Sequence, residues 1–367
     1  MATSACLQNG SKATMLALCA TMSLACTASD LKAFNIELDF SHDSGGDNFF
    51  ATNTAAKSAV EQAAQDIGNL ITTALAPVKE SYSGEDGFTT VAFNWEYLYT
   101  NPDDGTEESI PSPSIAANTV KIYVGVRELA GDTLGSGGPG GVQLGISASN
   151  ISPTYLQNAL DQAAYNSNNG IGRGAGPVIQ NITGTASFSG TPGSYDLDVG
   201  VGIGNLWFDV DTDNKKGKDD DATLESFWHF DHTTPVTAGK VDFYSVALHE
   251  LLHAVGFGVS ATWDDQLSGS SDWTGSEVIS LTGSGTGLID ATSGHIADGI
   301  TSNRLSDGVS QTAVMGPIIN QGERRLLTEL DAAFLRDLGY TTIPEPSTLM
   351  LLAFALSPLV FIRTKCC

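Results

Sequence analysis

Apolar and polar residues alternate along several short stretches of the chain, which is the pattern of strands with one buried face. The alternation predicts strands over Phe34–Phe40, Thr89–Tyr99, Thr119–Arg127, Tyr195–Val201 and Leu206–Val210. Apolar residues spaced three and four apart predict helices instead, over about 55–75 and again from Ser152–Pro153 onwards. Strands and helices mixed in this order predict an α+β fold.

Three stretches, 101–120, 131–150 and 165–200, are rich in Gly, Ser, Thr and Asn, and they predict long loops. The apolar content is nevertheless too high for a disordered chain. The formal net charge of −25 indicates that nucleic acid is not a partner, because phosphates require a basic surface.

The stretch 242–257 joins a continuous apolar run to a few ionisable residues. Its first half is apolar enough to be buried, and it leads into His249, Glu250 and His253. Since positions four apart lie on the same face of a helix, the two imidazoles can hold one metal ion. Glu250 lies beside them and can take a proton from metal-bound water, whose pKa a zinc ion lowers to about 7. Gly256 is predicted to end the helix.

A catalytic zinc ion takes three protein ligands and keeps a fourth position open, so a third ligand must come from elsewhere in the chain. His295 is the one histidine that follows His253 in the sequence. The residues before it are rich in Gly, Ser and Thr, which is typical of a surface loop. Carboxylates are the alternatives, namely Asp264, Asp265 and Glu277.

The run His249–Phe257, with the sequence HELLHAVGF, resembles the active-site motif of the metzincin clan of zinc peptidases. Most metzincins have their third histidine where this chain has Val259, and an aliphatic side chain cannot bind zinc. The leishmanolysin-like branch has His-Glu-x-x-His-Ala-x-Gly-Phe and takes its third histidine from beyond a long insertion. This resemblance implies that His295 is the third ligand and that Met315, before Gly-Pro, forms the methionine turn beneath the metal.

The same resemblance implies a zincin-like, twisted mixed β-sheet carrying an active-site helix, with a C-terminal helix after the methionine turn. That last helix is marked in the sequence, because Thr328 and Asp331 form a capping box and Gly339 supplies a stop. The peptidase domain is predicted over 29–342, and a separate N-terminal subdomain over 29–150 is an alternative.

The motif and the resemblance predict an exported zinc metalloendopeptidase that cleaves a protein or peptide substrate. Metal-activated water would attack the peptide bond, with Glu250 as the general base. The alternative is a non-catalytic surface or biofilm-matrix protein that retains a degenerate zincin fold.

The two ends of the chain predict export. Residues 1–28 have a basic start, a short apolar run and small residues, as in a secretory signal cut by signal peptidase; lipoprotein processing at Cys26 is an alternative. Residues 343–367 contain Pro-Glu-Pro, an apolar segment over 349–362 and basic residues, and they resemble the PEP-CTERM sorting signal of Gram-negative bacteria.

The PEP-CTERM resemblance implies recognition by an exosortase. Residues 349–362 would form a transmembrane helix held transiently in the inner membrane, and the protein would then reach the cell surface or extracellular matrix. A permanent C-terminal anchor is the alternative. All five cysteines lie within 1–28 and 343–367, so the mature protein is predicted to have no disulfide framework.

An acidic loop is a candidate calcium site. Asp209, Asp211 and Asp213 alternate with other residues, and more aspartates follow at 219–221. Carboxylates at alternating positions suit a hard cation such as Ca²⁺. Asn214 stands where an EF-hand has glycine, and a solvated acidic loop without an ion is the alternative.

Overall fold

Helices pack against several separate sheets, and the architecture is mixed α+β, as the sequence predicts. The structure is a computed structural model that describes residues 34–44, 48–215, 217–290 and 294–343. The predicted signal peptide (1–28) and the predicted transmembrane segment (349–362) lie outside these residues. Among the residues described, no helix has the length and apolar character needed to span a bilayer.

The described residues contain the following elements. In chain order, the strands are β1 (Asn35–Asp39), β2 (Ser81–Asp86), β3 (Thr89–Thr100), β4 (Glu107–Pro111), β5 (Thr119–Arg127), β6 (Gly135–Pro139), β7 (Gly141–Ser149), β8 (Val178–Phe188), β9 (Thr191–Gly200), β10 (Ile203–Asp209), β11 (Trp228–His229), β12 (Val241–Asp242), β13 (Leu267–Ser268), β14 (Asp272–Trp273), β15 (Ile289–Asp290), β16 (His295–Ile296), β17 (Thr301–Asn303) and β18 (Ser310–Thr312). The helices are α1 (Phe49–Thr52), α2 (Thr54–Leu70), α3 (Leu156–Asn168), α4 (Asp221–Phe227), α5 (Phe243–Ala254), α6 (Ala261–Asp265), α7 (Ser276–Thr282) and α8 (Glu329–Asp337), and a 3-10 turn covers Ser41–Ser44.

The first four-stranded sheet carries the motif helix. Its order is β1-β5-β10-β6, with the first three strands parallel and β6 antiparallel at one edge. In β5, Ile122 and Val124 lie in a core shared with α2 and α5, whereas Tyr123 between them lies in a second core. This alternation places helices on one face of the sheet and a further layer on the other, since side chains of a strand point to opposite faces in turn.

The second layer is an antiparallel sheet with its own helix. Strand β3 pairs with β2, β4 and β7, and its residues alternate between buried and partly buried along most of its length. Helix α3 packs closely on β2, because a Cβ added to Gly84 would lie 2.3 Å from the backbone nitrogen of Ala163. The hairpin β8–β9 completes this second core.

The prediction of long loops over 131–150 and 165–200 is wrong. These two stretches contain β6, β7, β8 and β9, and the sequence predicts only the second half of β9, as the strand Tyr195–Val201. The remaining predicted loop, 101–120, contains the short strand β4. Glycine and serine weaken a strand in isolation, but pairing with neighbouring strands outweighs their low intrinsic preference. The predicted strands and helices listed above are present, with ends shifted by a few residues.

The C-terminal part folds against the motif helix through an aromatic cluster. The cluster contains Phe257, Trp263, Trp273 and Phe334, whose neighbouring ring centroids lie 4.5–5.6 Å apart. Phe334 belongs to α8, and the other three follow α5 in the chain. These contacts hold the segment after the motif helix against the last helix of the described chain.

Candidate metal centre

Helix α5 is buried along nearly its whole length and is fixed at both ends. At its start, the fully buried Asp242 accepts hydrogen bonds from Ser245 N and Oγ at 3.2 and 2.6 Å, and it pairs with Arg324 at 2.7 Å. The backbone after the helix turns at Gly256, whose φ of 106° favours glycine. A Cβ there would also lie 2.8 Å from Cγ of Pro177.

Three histidine side chains meet at one point. The Nε2 atom of His249 lies 2.9 Å from that of His295 and 3.2 Å from that of His253, and the last two are 3.0 Å apart. The structure therefore brings together the three histidines named by the sequence. Together they could hold a metal ion.

The outer ring nitrogens fix the protonation of two of these imidazoles. His249 Nδ1 donates to the Val314 carbonyl at 2.9 Å, and His253 Nδ1 donates to the Phe257 carbonyl at 2.8 Å. A neutral imidazole carries one proton, so the Nε2 atoms of both rings present lone pairs to each other. Converging lone pairs repel unless a cation lies among them, and this donor set therefore fits a metal ion.

Burial favours the ligand form of these rings. It lowers the pKa of His249 well below its ordinary value and that of His253 to about 4, with the neighbouring imidazoles adding to the effect. Both rings are thus neutral near pH 7, as metal ligands must be. Imidazole nitrogens bound tetrahedrally to zinc stand about 3.3 Å apart, close to the separations seen here.

Glu250 lies beside the histidines and is also buried, with 7% of its surface exposed. Its carboxylate accepts a hydrogen bond from the backbone N–H of Gly137 in β6. Burial raises the pKa of the Glu250 carboxyl to about 8, against the lowering effect of that hydrogen bond. A carboxyl with a raised pKa in a cleft is suited to proton transfer.

Strand β6 approaches Glu250 so closely that glycine is required. A Cβ on Gly137 would lie 2.3 Å from the Glu250 carbonyl oxygen, and one on Gly135 would lie 3.0 Å from Glu250 Cγ. The sequence analysis missed this strand, although the run of glycines at 135–141 is its visible signal. A glycine run in a strand often marks the close approach of another backbone.

The backbone of β6 has a free side that faces away from its partner β10. Asp209 N donates to Leu134 O at 3.0 Å, and Gly140 N donates to Ile203 O at 2.8 Å. Because hydrogen-bonded pairs alternate in an antiparallel ladder, the polar groups of Gly135 and Gly137 point away from β10. They lie on the same side as the Glu250 carboxylate.

The turn that contains Met315 holds two of the histidines. Met315 is fully buried, and its carbonyl accepts a hydrogen bond from Ile296 N at 2.9 Å, next to His295. The preceding carbonyl of Val314 accepts the Nδ1 proton of His249. One turn therefore orients a histidine from the motif helix and a histidine from β16.

Asp331 holds the turn at Met315 in place through its carboxylate. Its buried carboxylate accepts from Val314 N at 3.2 Å and Met315 N at 3.4 Å, and it also caps α8 through Thr328 N at 2.9 Å. The predicted capping box is thus confirmed, and Asp331 has a second role that the sequence did not indicate. Burial raises the pKa of this carboxyl, and the hydrogen bonds oppose that shift.

Arg325 is a further residue that sequence reasoning missed. It is buried, with 2% of its surface exposed, and its guanidinium donates to the carbonyls of Ala313, Gly316 and Ile318. Glu323 balances its charge at 3.3 Å. Arg325 therefore holds the chain on both sides of Met315.

The carboxylates considered as alternative third ligands lie elsewhere. Asp264 and Asp265 are exposed on α6. Glu277 forms an ion pair with Arg336 of α8 at 2.8 Å. Val259, which occupies the usual metzincin ligand position, is 45% exposed.

A cleft of about 660 Å³ opens beside the histidines and Glu250. Its wall combines polar and apolar side chains; the apolar ones include Leu134, Phe227, Val246, Val314, Ile318 and Ile319, and the polar ones include Asp132, Thr133 and Gln321. Concave sites that combine apolar side chains with placed polar groups are typical of ligand-binding pockets.

The acidic loop is arranged differently from the sequence prediction. Carboxylate oxygens of Asp211, Asp213 and Asp219 lie within 4.8 Å of one another. Asp209 instead accepts hydrogen bonds from the backbone nitrogens of Leu129 at 2.9 Å and Asp211 at 3.1 Å. Asp219, and not the predicted Asp209, therefore lies beside Asp211 and Asp213.

Comparisons with known proteins find no matching family model, no similar curated protein and no similar solved structure. The interpretation of the site consequently depends on its own residues and geometry.

Proposed function

We propose that this protein is a zinc metalloendopeptidase. One observation carries the proposal: three imidazoles converge beside a buried carboxyl at the edge of a cleft. His249, His253 and His295 would hold the metal, and imidazole ligands suit zinc. Bound zinc would supply a Lewis acid and an activated water.

Glu250 would carry out the proton transfers of the reaction. Glu250 would accept a proton from the attacking water and return it to the leaving amine. A cation held by the histidines would lower the pKa of Glu250 from about 8, because a nearby positive charge favours the carboxylate. The Gly137 N–H would keep the carboxylate aimed at the site.

The free side of β6 supports a peptide as the substrate. The backbone groups of Gly135 and the carbonyl of Gly137 can pair with an extended chain, which would add a strand to the sheet next to Glu250. The cleft would then receive a substrate side chain. Backbone pairing of this kind selects an extended peptide of varied sequence.

We further propose a zincin-like fold of the metzincin type. Motif helix, third histidine, buried methionine turn and C-terminal helix follow one another in the order that the resemblance implies. Export through the predicted signal peptide and sorting by an exosortase also remain proposals, since the residues concerned are outside the described ranges.

Substitution of Glu250 tests the enzymatic proposal. We expect Glu250→Gln to retain one zinc ion per chain and to lose at least about a hundredfold in peptide cleavage, the usual scale for a general base. Metal analysis by mass spectrometry and cleavage of unfolded casein measure the two properties. Glu277→Gln is the matched control and should retain both.

Three results would contradict the proposal in different ways. If purified wild-type protein contains no zinc near neutral pH, the three histidines are not a zinc site. If Glu250→Gln cleaves peptides as fast as wild type does, Glu250 is not the general base. Stoichiometric zinc without cleavage of casein or a peptide library would favour the non-catalytic alternative.

A further inference from the structure

The loop between β10 and α4 gathers acidic side chains away from the histidines. Asp211, Asp213 and Asp219 each place a carboxylate oxygen within 4.8 Å of the other two. Asp211 is buried, with 7% of its surface exposed, and its Oδ1 atom has no hydrogen-bond partner among the described residues. A buried carboxylate oxygen without a partner is unfavourable unless a cation approaches it.

The loop is closed by its own backbone. Asp219 N donates to Val210 O at 2.7 Å, and Thr212 donates from N and Oγ1 to Asp219 Oδ2 at 2.7 and 2.6 Å. These hydrogen bonds bring the two ends of the loop together. They therefore hold the carboxylates close to one another.

The acidic cluster has an internal counterion in Lys215. This lysine pairs with Asp213 at 2.6 Å, but its side chain is 81% exposed, so the pair is weak in water. The pair leaves Oδ1 of Asp211 without a hydrogen-bond partner among the described residues.

We propose that Asp211, Asp213 and Asp219 bind one Ca²⁺ ion. Carboxylate oxygens are the ligands of a hard cation, whereas zinc prefers the nitrogen ligands of the histidine site. Calcium accepts irregular geometry, and backbone carbonyls and water can complete its coordination. Magnesium is less suitable because it requires a near-ideal octahedron.

The calcium site would stabilise the rim of the cleft. Asp209 N donates to Leu134 O, and its side chain accepts from Leu129 N and from Asp211 N inside the loop. At the other end of the loop, α4 begins and leads to Phe227. Since Leu134 and Phe227 both line the cleft, calcium would order this rim without contacting the zinc ligands.

Terbium luminescence tests the proposal on the zinc-saturated protein. Tb³⁺ replaces Ca²⁺ at oxygen sites and emits when a nearby indole is excited. Trp228 Nε1 donates to Asp209 O at 3.3 Å, so its ring lies next to the loop. We expect sensitised emission that saturates at one Tb³⁺ per chain and is reversed by added Ca²⁺.

Variants assign the emission to the loop. Asp211→Asn and Asp219→Asn should each weaken Tb³⁺ binding by at least about tenfold, since each loses one charged ligand. Lys215→Gln should tighten it, because a competing positive charge is removed. Asp161→Asn, at an exposed position of α3, changes the net charge equally and should bind as wild type does.

The proposal is overturned if wild-type protein gives no sensitised emission, or if emission is unchanged in both Asp211→Asn and Asp219→Asn. It is also overturned if Asp161→Asn weakens binding as much as they do. Circular dichroism of each variant establishes that it is folded. The wild-type titration needs no variant, so it remains decisive if either substitution prevents folding.

Discussion

The imidazoles of His249 and His253 are each constrained at both ring nitrogens. A backbone carbonyl holds Nδ1, and Nε2 points to the common centre. This arrangement fixes the tautomer with the proton on Nδ1, which leaves Nε2 able to bind a metal. Burial lowers the pKa of both rings and keeps them neutral near pH 7. Glu250 differs from the histidines because burial favours its protonated form. Its pKa of about 8 allows this carboxyl to bind and release a proton near neutral pH.

Acid should destabilise the zinc-depleted protein. The folded state holds the pKa of His253 at about 4, below the ordinary 6.5, so between these values the unfolded chain binds the proton more strongly. The contribution of this group to stability is therefore present above pH 6.5 and is lost as the pH falls towards 4. The loss should approach about 1.4 kcal/mol per pH unit.

Urea unfolding of chelator-treated protein at several pH values measures this dependence. His253→Gln should show a smaller decrease in the free energy of unfolding over the same pH range, because it lacks the titrating ring. An equally steep decrease in wild type and His253→Gln would show that other groups cause the acid sensitivity.

At the scale of elements, the site depends on segments that meet far from where they lie in the sequence. Strand β6 covers one side of α5, and the turn at Met315 covers another. Helix α8 supports that turn through Asp331 at its N-terminus. Helix α8 therefore helps to hold the His249 and His295 side chains in place.

Replacement of Asp331 should therefore affect both stability and metal binding. Asp331→Ala removes a buried acceptor of several hydrogen bonds, and we expect a loss of roughly 2–4 kcal/mol in the free energy of unfolding. Zinc affinity should also fall, since the turn holding His249 and His295 is no longer fixed. Chemical denaturation and competition with a zinc-sensitive dye measure the two effects.

Glu329→Ala provides the matched control, because it removes a carboxylate from the first turn of the same helix. Its effect should be within about 0.5 kcal/mol, as for most surface substitutions. If Asp331→Ala behaved like this control in both measurements, Asp331 would be only a helix cap.

At the scale of the whole molecule, two cores are joined through the first sheet. One core contains α2, α5 and α8, and the other contains the β3 sheet, α3 and the β8–β9 hairpin. All five cysteines lie at 1–28 and 343–367, so packing and not disulfides must stabilise residues 29–342. A bound metal would connect α5 to β16 across the C-terminal part of the first core.

Zinc should consequently raise the melting temperature. Anything that binds only the folded state stabilises it, by about 2.7 kcal/mol when the ligand is at a hundred times its Kd. Differential scanning calorimetry of chelator-treated protein should show an upward shift on adding zinc. His295→Ala should lose the shift, and Glu277→Ala should keep it. If Glu277→Ala lost the shift and His295→Ala kept it, the third ligand would be Glu277.

The sequence alone determined the motif helix, the capping box of α8 and the α+β class, because these depend on periodicity and on contacts between residues close in the chain. It also named His295, since one histidine followed the motif. It failed for β6 to β8 and for the first half of β9, whose glycine- and serine-rich segments form strands only when paired.

Only the tertiary structure decided which groups meet. His295, and none of the candidate carboxylates, lies beside His249 and His253. Asp219 and not Asp209 lies beside Asp211 and Asp213. Asp331 accepts a hydrogen bond from Val314 N in addition to capping α8. The tertiary structure also placed Gly137 against Glu250, a contact of two residues more than a hundred positions apart in the sequence. Such contacts arise from strand pairing and layer packing, and no local pattern in the sequence specifies them.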